Sequence, residues 1–230
     1  MGTISLERSD HLYWLGRYTE RVYTTLKALQ SLYDRMIDRN AGYDDYLRSF
    51  GLADIYHSKR EFMRSFLYDR NNPGSVASSL ERAYDNGIVL REEITTEAFS
   101  FLQVAKDTLL KSEQSSNTRL SLLPLEDVLF GFWGCIEDKM YNEESRNIIF
   151  VGKSMERLDL YLRLKYPFEE VDKEFHRLCK VLHRMPKDTP YRYNTSYLSD
   201  LVEILGVQEE YQLHSDKAVI SLGHLFEVSA

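Results

Sequence analysis

The sequence predicts an all-α protein, and three observations carry that prediction. Apolar residues recur at spacings of three and four along almost the whole chain. Strict alternation of apolar and polar residues, the mark of a half-buried strand, is scarce. Glycine and proline, 11 and 5 among 230 residues, are too few for the many tight turns of a sandwich or a solenoid. A 43% apolar fraction with 2 Trp, 16 Tyr and 11 Phe excludes a disordered chain, and the length supports a sizeable core. The expected architecture is a multi-helix bundle.

The first helix is the clearest. From about residue 9 to residue 38, Leu15, Val22, Leu29 and Met36 stand seven apart with Tyr18, Leu26 and Tyr33 between them. That is one apolar seam along roughly eight turns. Asn40-Ala41-Gly42 is expected to end it, and shorter helices follow over 43–50 and 55–68, broken near Gly51. Arg70-Asn71-Asn72-Pro73-Gly74 is the strongest turn signal, and Ser75 suits the N-cap of a helix reaching about residue 93. Thr95 or Thr96 caps the next, which buries Phe99, Leu102, Ala105 and Leu109. Pro124 fits the first turn of a following helix, where Glu126 and Asp127 complement the dipole. A long helix over 145–166 is stopped by Pro167, and another covers 168–184. A loop then carries Pro186 and Pro190, and shorter helices fill 195–205 and the C-terminus.

The chain is expected to form one domain over 1–230. If it divides, the polar run 112–121, with Ser112, Ser115, Ser116 and Asn117, is the best linker, leaving halves 1–111 and 122–230. With 36 acidic against 29 basic residues the net charge is −7, which argues against a nucleic-acid partner. No apolar run approaches the roughly 18–20 residues of a membrane span, so no membrane partner is expected. The start, with Ser5-Leu6-Glu7-Arg8, has neither the basic nor the apolar region of a leader. The two cysteines, Cys135 and Cys179, make no disulfide framework and no CxxC spacing. A cytoplasmic location is therefore expected.

The chain also resembles itself at a separation of 136 residues. Leu15-Gly16-Arg17-Tyr18-Thr19-Glu20-Arg21-Val22 parallels Val151-Gly152-Lys153-Ser154-Met155-Glu156-Arg157-Leu158. Each copy reads apolar-Gly-basic-x-x-Glu-Arg-apolar within a long helix. So long a period does not describe a solenoid; it points to two related helices, or two half-domains, facing each other.

Those residues carry a family likeness. Leu12-Tyr13-Trp14-Leu15-Gly16-Arg17-Tyr18-x-Glu20-Arg21 resembles the signature of the Alpha-E family, helical domains with a Glu-Arg motif. The likeness continues through Asn72-Pro73-Gly74-Ser75, Leu80 and Arg91-Glu92-Glu93-Ile94, and resumes at Gly152, Glu156, Arg157 and Asp159. It is loose over most of the first 165 residues and poor in the last 60. Around Tyr84-Asp85-Asn86-Gly87-Ile88 the chain departs from relatives that are richer in arginine, so a ligand site served by those arginines would be altered here. Asn86 and Arg91 are the further candidates in this region. The resemblance implies a setting beside circularly permuted ATP-grasp ligases and transglutaminase-like proteins. It names no reaction.

On a helix, successive residues turn by about 100°. Glu20 then lies opposite the seam with Tyr13, Gly16, Arg17 and Lys27, and Arg21 lies on its flank with Trp14, Thr25 and Ala28. Arg157 shares a flank with Phe150, Tyr161 and Leu164, so each arginine follows a large aromatic by one heptad and is expected to stack on it. Gly16 and Gly152 each cost about 1 kcal/mol inside a helix. Their repetition predicts that something approaches closely at that face. The structural expectation is that the two helices cross near these glycines and exchange partners, Glu20 with Arg157 and Glu156 with Arg21. The functional alternative gathers Gly16, Arg17, Glu20, Arg21, Gly152, Lys153, Glu156 and Arg157 around a phosphate- or carboxylate-bearing ligand.

Other chemistry is sparse. No histidine among His11, His57, His176, His183, His214 and His224 follows a glutamate by three residues, so the spacing of a di-metal bundle is lacking and no metal is expected. Cys135 sits among Phe132, Trp133 and Ile136 as an inert buried thiol, and Cys179 shares a helix face with His176 and His183 without a compelling pair. No nucleotide fingerprint or nucleophile elbow occurs, and no cofactor is expected. The tyrosines suit packing and contact with another protein or another copy of the chain. The leading expectation is an accessory helical module beside an ATP-grasp-type ligase or a transglutaminase-like protein. Its rival is an enzyme that uses the Glu-Arg cleft.

Overall fold

The structure is a computed structural model, and it describes residues 4–38, 42–115, 117–185 and 192–226. Asn40 and Ala41, Ser116, and the prolines Pro186 and Pro190 lie outside the described residues. Ten α-helices follow one another: α1 (Leu6–Asp38), α2 (Asp44–Ser49), α3 (Lys59–Tyr68), α4 (Val76–Val89), α5 (Thr96–Glu113), α6 (Thr118–Lys139), α7 (Glu143–Arg163), α8 (Phe168–His183), α9 (Thr195–Leu205) and α10 (Gln208–Gly223). No strand occurs among the described residues, although Tyr193 and Phe226 form an isolated bridge. No helix is long and apolar enough to cross a membrane.

Contacts divide the chain into two compact units: Met1–Arg17 with Glu143–Ala230, here unit 1, and Tyr18–Asn142, unit 2. In unit 1, α7 packs on α8, α8 on α9, α9 on α10 and α10 back on α7, together with the first turns of α1. In unit 2, α3 packs on α4, α4 on α5, and α5 on α6. The division does not fall at 112–121. Ser112 and Glu113 still belong to α5 and residues 118–121 to α6, and the two helices pack on each other, with Glu97 at the start of α5 bonded to Lys139 at the end of α6.

The seam of α1 is buried at Leu15, Val22, Leu26, Leu29 and Met36, while Tyr18 is half-buried and Tyr33 is exposed. The opposite face is buried too, at Ser9, Tyr13, Gly16, Thr19 and Glu20, while Trp14, Arg17, Tyr18 and Arg21 on the flank between are half-buried. Side-chain caps start the later helices as expected. Ser75 Oγ accepts from the Ser78 amide, and Thr95 Oγ1 accepts from the Ala98 amide. Leu102, Ala105 and Leu109 are buried on α5, with Phe99 half-buried against Tyr84.

Several boundaries differ from expectation; α3, expected from residue 55, begins at Lys59, where Ser58 Oγ accepts from the Glu61 amide. α4 ends at Val89, because Glu93 and Ile94 both bond back to the Leu90 carbonyl and close a turn that carries Arg91. α6 begins at Thr118 because Asn117 caps it through the Leu120 amide, which places Pro124 inside the helix, where it removes a backbone donor. α7 stops at Arg163, short of Pro167. Lys165 takes a left-handed conformation (φ 52°), and the Tyr166 amide reaches back to the Tyr161 carbonyl.

Two glycines of α6 test how unit 2 is packed. A methyl at Gly131 would overlap the Phe101 ring of α5, whereas one at Gly134 would meet nothing. Gly134→Ala is expected to stabilise by up to about 1 kcal/mol, and Gly131→Ala to destabilise by about 1–3 kcal/mol, both read by urea unfolding.

Candidate functional site

Both motif glycines in unit 1 are occupied by a neighbouring backbone. A Cβ built on Gly16 would overlap the carbonyl oxygen of Ile149, and one on Gly152 would overlap that of Tyr13 and come within 3.0 Å of the Arg17 nitrogen. α1 and α7 therefore cross with main chain against main chain at these two residues. Any side chain there would hold the helices apart.

The crossing sets Arg17 against Glu156. Arg17 Nε donates to Glu156 Oε2 at 2.7 Å, with side-chain exposures of 17% and 5%. Arg17 Nη1 also reaches the Tyr13 hydroxyl at 3.4 Å, and the guanidinium lies 5.3 Å from the Trp14 ring centroid and 5.8 Å from that of Tyr13. Burial opposes the charge of Arg17, but the Glu156 carboxylate, with Tyr13 and Asp159, outweighs it and holds the guanidinium above the ordinary arginine range. Burial likewise raises the Tyr13 phenol, with Arg17 acting the other way. Both effects keep the guanidinium charged and the phenol neutral.

The exchange expected from sequence pairs Glu156 with Arg21; the partner found within unit 1 is Arg17, one turn earlier in α1. It also pairs Arg157 with Glu20, and within unit 1 Arg157 Nη1 lies 3.8 Å from Glu174 Oε1 of α8. Glu174, itself buried, also accepts from Arg177. Beside them Tyr161 stacks on Tyr166 at 4.2 Å. Burial, with Arg157 opposing and Glu174 assisting, pushes the Tyr161 phenol up to about 12. Lys153 Nζ sits 5.6 Å from the Phe150 ring centroid.

In unit 2, Glu20 is fully buried, and its carbonyl accepts from Thr24 Oγ1 at 2.9 Å. The Arg21 guanidinium lies 5.5 Å from the Tyr18 ring centroid, and Arg82 of α4 lies at the same distance and donates to the Tyr18 hydroxyl. Asn86 Nδ2 bonds to the Arg82 carbonyl, while Arg91 is exposed in the turn after α4. Tyr84 stacks on Phe99 beneath Lys106, and Ile88 is exposed.

The ring contacts found within each unit fall one turn back along the helix. Arg17 covers Tyr13 and Trp14, Arg21 covers Tyr18, and Lys153 covers Phe150, each three or four residues back. Helical side chains lean toward the N-terminus over the preceding turn, and one heptad is two turns away. Two participants were not foreseen. Glu174 had a signal: with Val171, Phe175, Leu178 and Leu182 it shares the buried face of the amphipathic α8, where a carboxylate needs a cation. Arg82 had only its place one turn before Asn86.

The remaining candidates are ordinary. Cys135 is half-buried rather than enclosed, and burial raises the Cys179 thiol, which disfavours the thiolate. His176 Nδ1 sits on its own helix, 2.9 Å from the Asp172 carbonyl. Among the described residues no group of three or more His, Cys, Asp or Glu is placed to hold a metal ion.

Together these features define a class: all-helical proteins in which Glu-Arg dipeptides lie in long helices and their charges are engaged inside the fold. A family model, Alpha-E, described as a predicted alpha-helical domain with a conserved ER motif, matches residues 8–183, and the chain belongs to that family. The match runs from α1 to the end of α8 and leaves α9 and α10 outside it. No curated protein and no solved structure matches the chain significantly.

Two measurements probe the crossing. Gly16→Ala and Gly152→Ala are each expected to lose at least about 2 kcal/mol of unfolding free energy despite better helix propensity, because the obstacle is backbone. Glu156→Ala, which strands a guanidinium, is expected to cost about 3 kcal/mol or more, with most of it recovered in the Glu156→Ala, Arg17→Met double variant; a double-mutant cycle reads the coupling.

Proposed function

We infer that the chain is a non-catalytic helical module that serves an ATP-grasp-type peptide- or amide-ligating system, or a transglutaminase-like one, by docking on its protein. The observation behind this reading is the engagement of the motif charges. Glu156 is clamped by Arg17, and Glu174 bridges Arg157 and Arg177, each carboxylate being nearly fully buried. Charges used in this way hold helices at a set spacing, as a scaffold requires. The kind of partner comes from the family likeness. Leu120, Leu123 and Phe130 are exposed along α6 and supply apolar area of the sort that a protein partner covers.

The test mixes the purified chain with an ATP-grasp-type ligase and, separately, with a transglutaminase-like protein from the same organism. Co-elution in size exclusion and a changed rate of the partner's reaction are expected, both lost in Leu123→Ser with Phe130→Ser. Failure to form a complex, or turnover of a phosphate- or carboxylate-bearing substrate by the chain alone that disappears in Arg157→Gln, would overturn the reading.

A further inference from the structure

Unit 2 contains a cleft of about 470 Å³ between the segment before α3, α3 itself and the end of α5. That volume is within the range of small-ligand sites. Tyr56 and Tyr68 form part of its lining, and both are fixed. The Tyr56 hydroxyl lies 3.4 Å from Ser65 Oγ, which also accepts from Asn72 Nδ2, and the Tyr68 hydroxyl lies 3.1 Å from Ser112 Oγ. Behind Tyr56 the rings of Tyr43, Phe62 and Phe66 stand at centroid distances of 6.1, 5.4 and 6.1 Å. The aromatic wall is thus preformed.

The charges around that wall are unequal. Glu61, Asp69 and Glu113 face one cation, Arg64. Glu61 accepts the His57 amide at 2.8 Å, and Asp69 accepts the Asn71 amide at 2.9 Å. Neutral donors fix these carboxylates without cancelling their charge. Glu113 takes the Arg64 guanidinium at 3.2 Å, so the cleft already holds one cation carried on an alkyl stem. The net negative charge repels phosphates and carboxylates, whereas phenol faces and carboxylates both attract cations.

We propose that this cleft binds an alkylammonium group of the kind that a lysine side chain presents. The cleft uses none of the motif residues, and its failure as a site leaves the docking role untouched.

The experiment is a nitrogen–proton NMR titration of the full chain with Nα-acetyl-lysine N-methylamide, and with the same probe acetylated at Nε. Saturable shifts at the amides of Tyr56, Ser65 and Asp69 are expected, with the neutral probe binding about tenfold more weakly. Cadaverine in a parallel titration separates a free diamine from a peptide lysine: tighter binding of the capped lysine marks the peptide source, and tighter binding of cadaverine the free amine. Glu61→Gln and Asp69→Asn retain an acceptor oxygen for the His57 and Asn71 amides while removing charge. Each is expected to weaken binding about threefold, and Asp127→Asn on α6 to leave it unchanged. Equal binding of the charged and neutral probes, or no saturable shift at these amides, would overturn the proposal.

Discussion

The contact between the backbones of α1 and α7 at Gly16 and Gly152 is the constraint on which the rest of unit 1 depends. With no Cβ on either side, the carbonyls of Ile149 and Tyr13 come to lie where side chains would otherwise stand. That spacing brings Arg17 Nε within 2.7 Å of Glu156. Were the helices separated by one methyl layer, the buried carboxylate would lose the short Arg17 contact, and weakening the pairing of a buried charge is costly. A repeated glycine and a buried acid are thus two parts of one device.

The electrostatics of the motif follow from that geometry. Buried ion pairs contribute little net stability, because desolvation offsets attraction, but they penalise any packing in which a partner is missing. Arg17 with Glu156, and Arg157 and Arg177 around Glu174, therefore select one register of α1, α7 and α8 over its neighbours. Aromatic rings one turn back from Arg17 and from Lys153, Trp14 and Phe150 respectively, add area and attraction without demanding a charge.

Much of this was legible in the sequence, and the boundary of what was legible is physical. The seam of α1, the caps at Ser75 and Thr95 and the close approach at the glycines follow from local rules: periodicity, side-chain acceptors, and the cost of glycine within a helix. The rings under Arg17, Arg21 and Lys153 follow from another local rule, that helical side chains lean back by one turn. Glu174 and Arg82 belong to other helices, and sequence periodicity carries no information on which helices meet. The true start of α6 was masked by Pro124, a residue that usually marks a first turn and here sits inside a helix already begun by Asn117.

The discontinuity of unit 1 has a consequence for synthesis. Residues Tyr18–Asn142 are consecutive and can collapse as soon as they leave the ribosome, whereas Met1–Arg17 belongs with a segment that starts at Glu143. The turns with Leu12, Leu15 and the arginine destined for Glu156 leave the ribosome before unit 2 and gain their α7 partner only after it. Until the segment from Glu143 onward is translated, the glycine face of those turns lacks its α7 partner, which leaves the nascent chain more open to chaperones and proteases than the finished one.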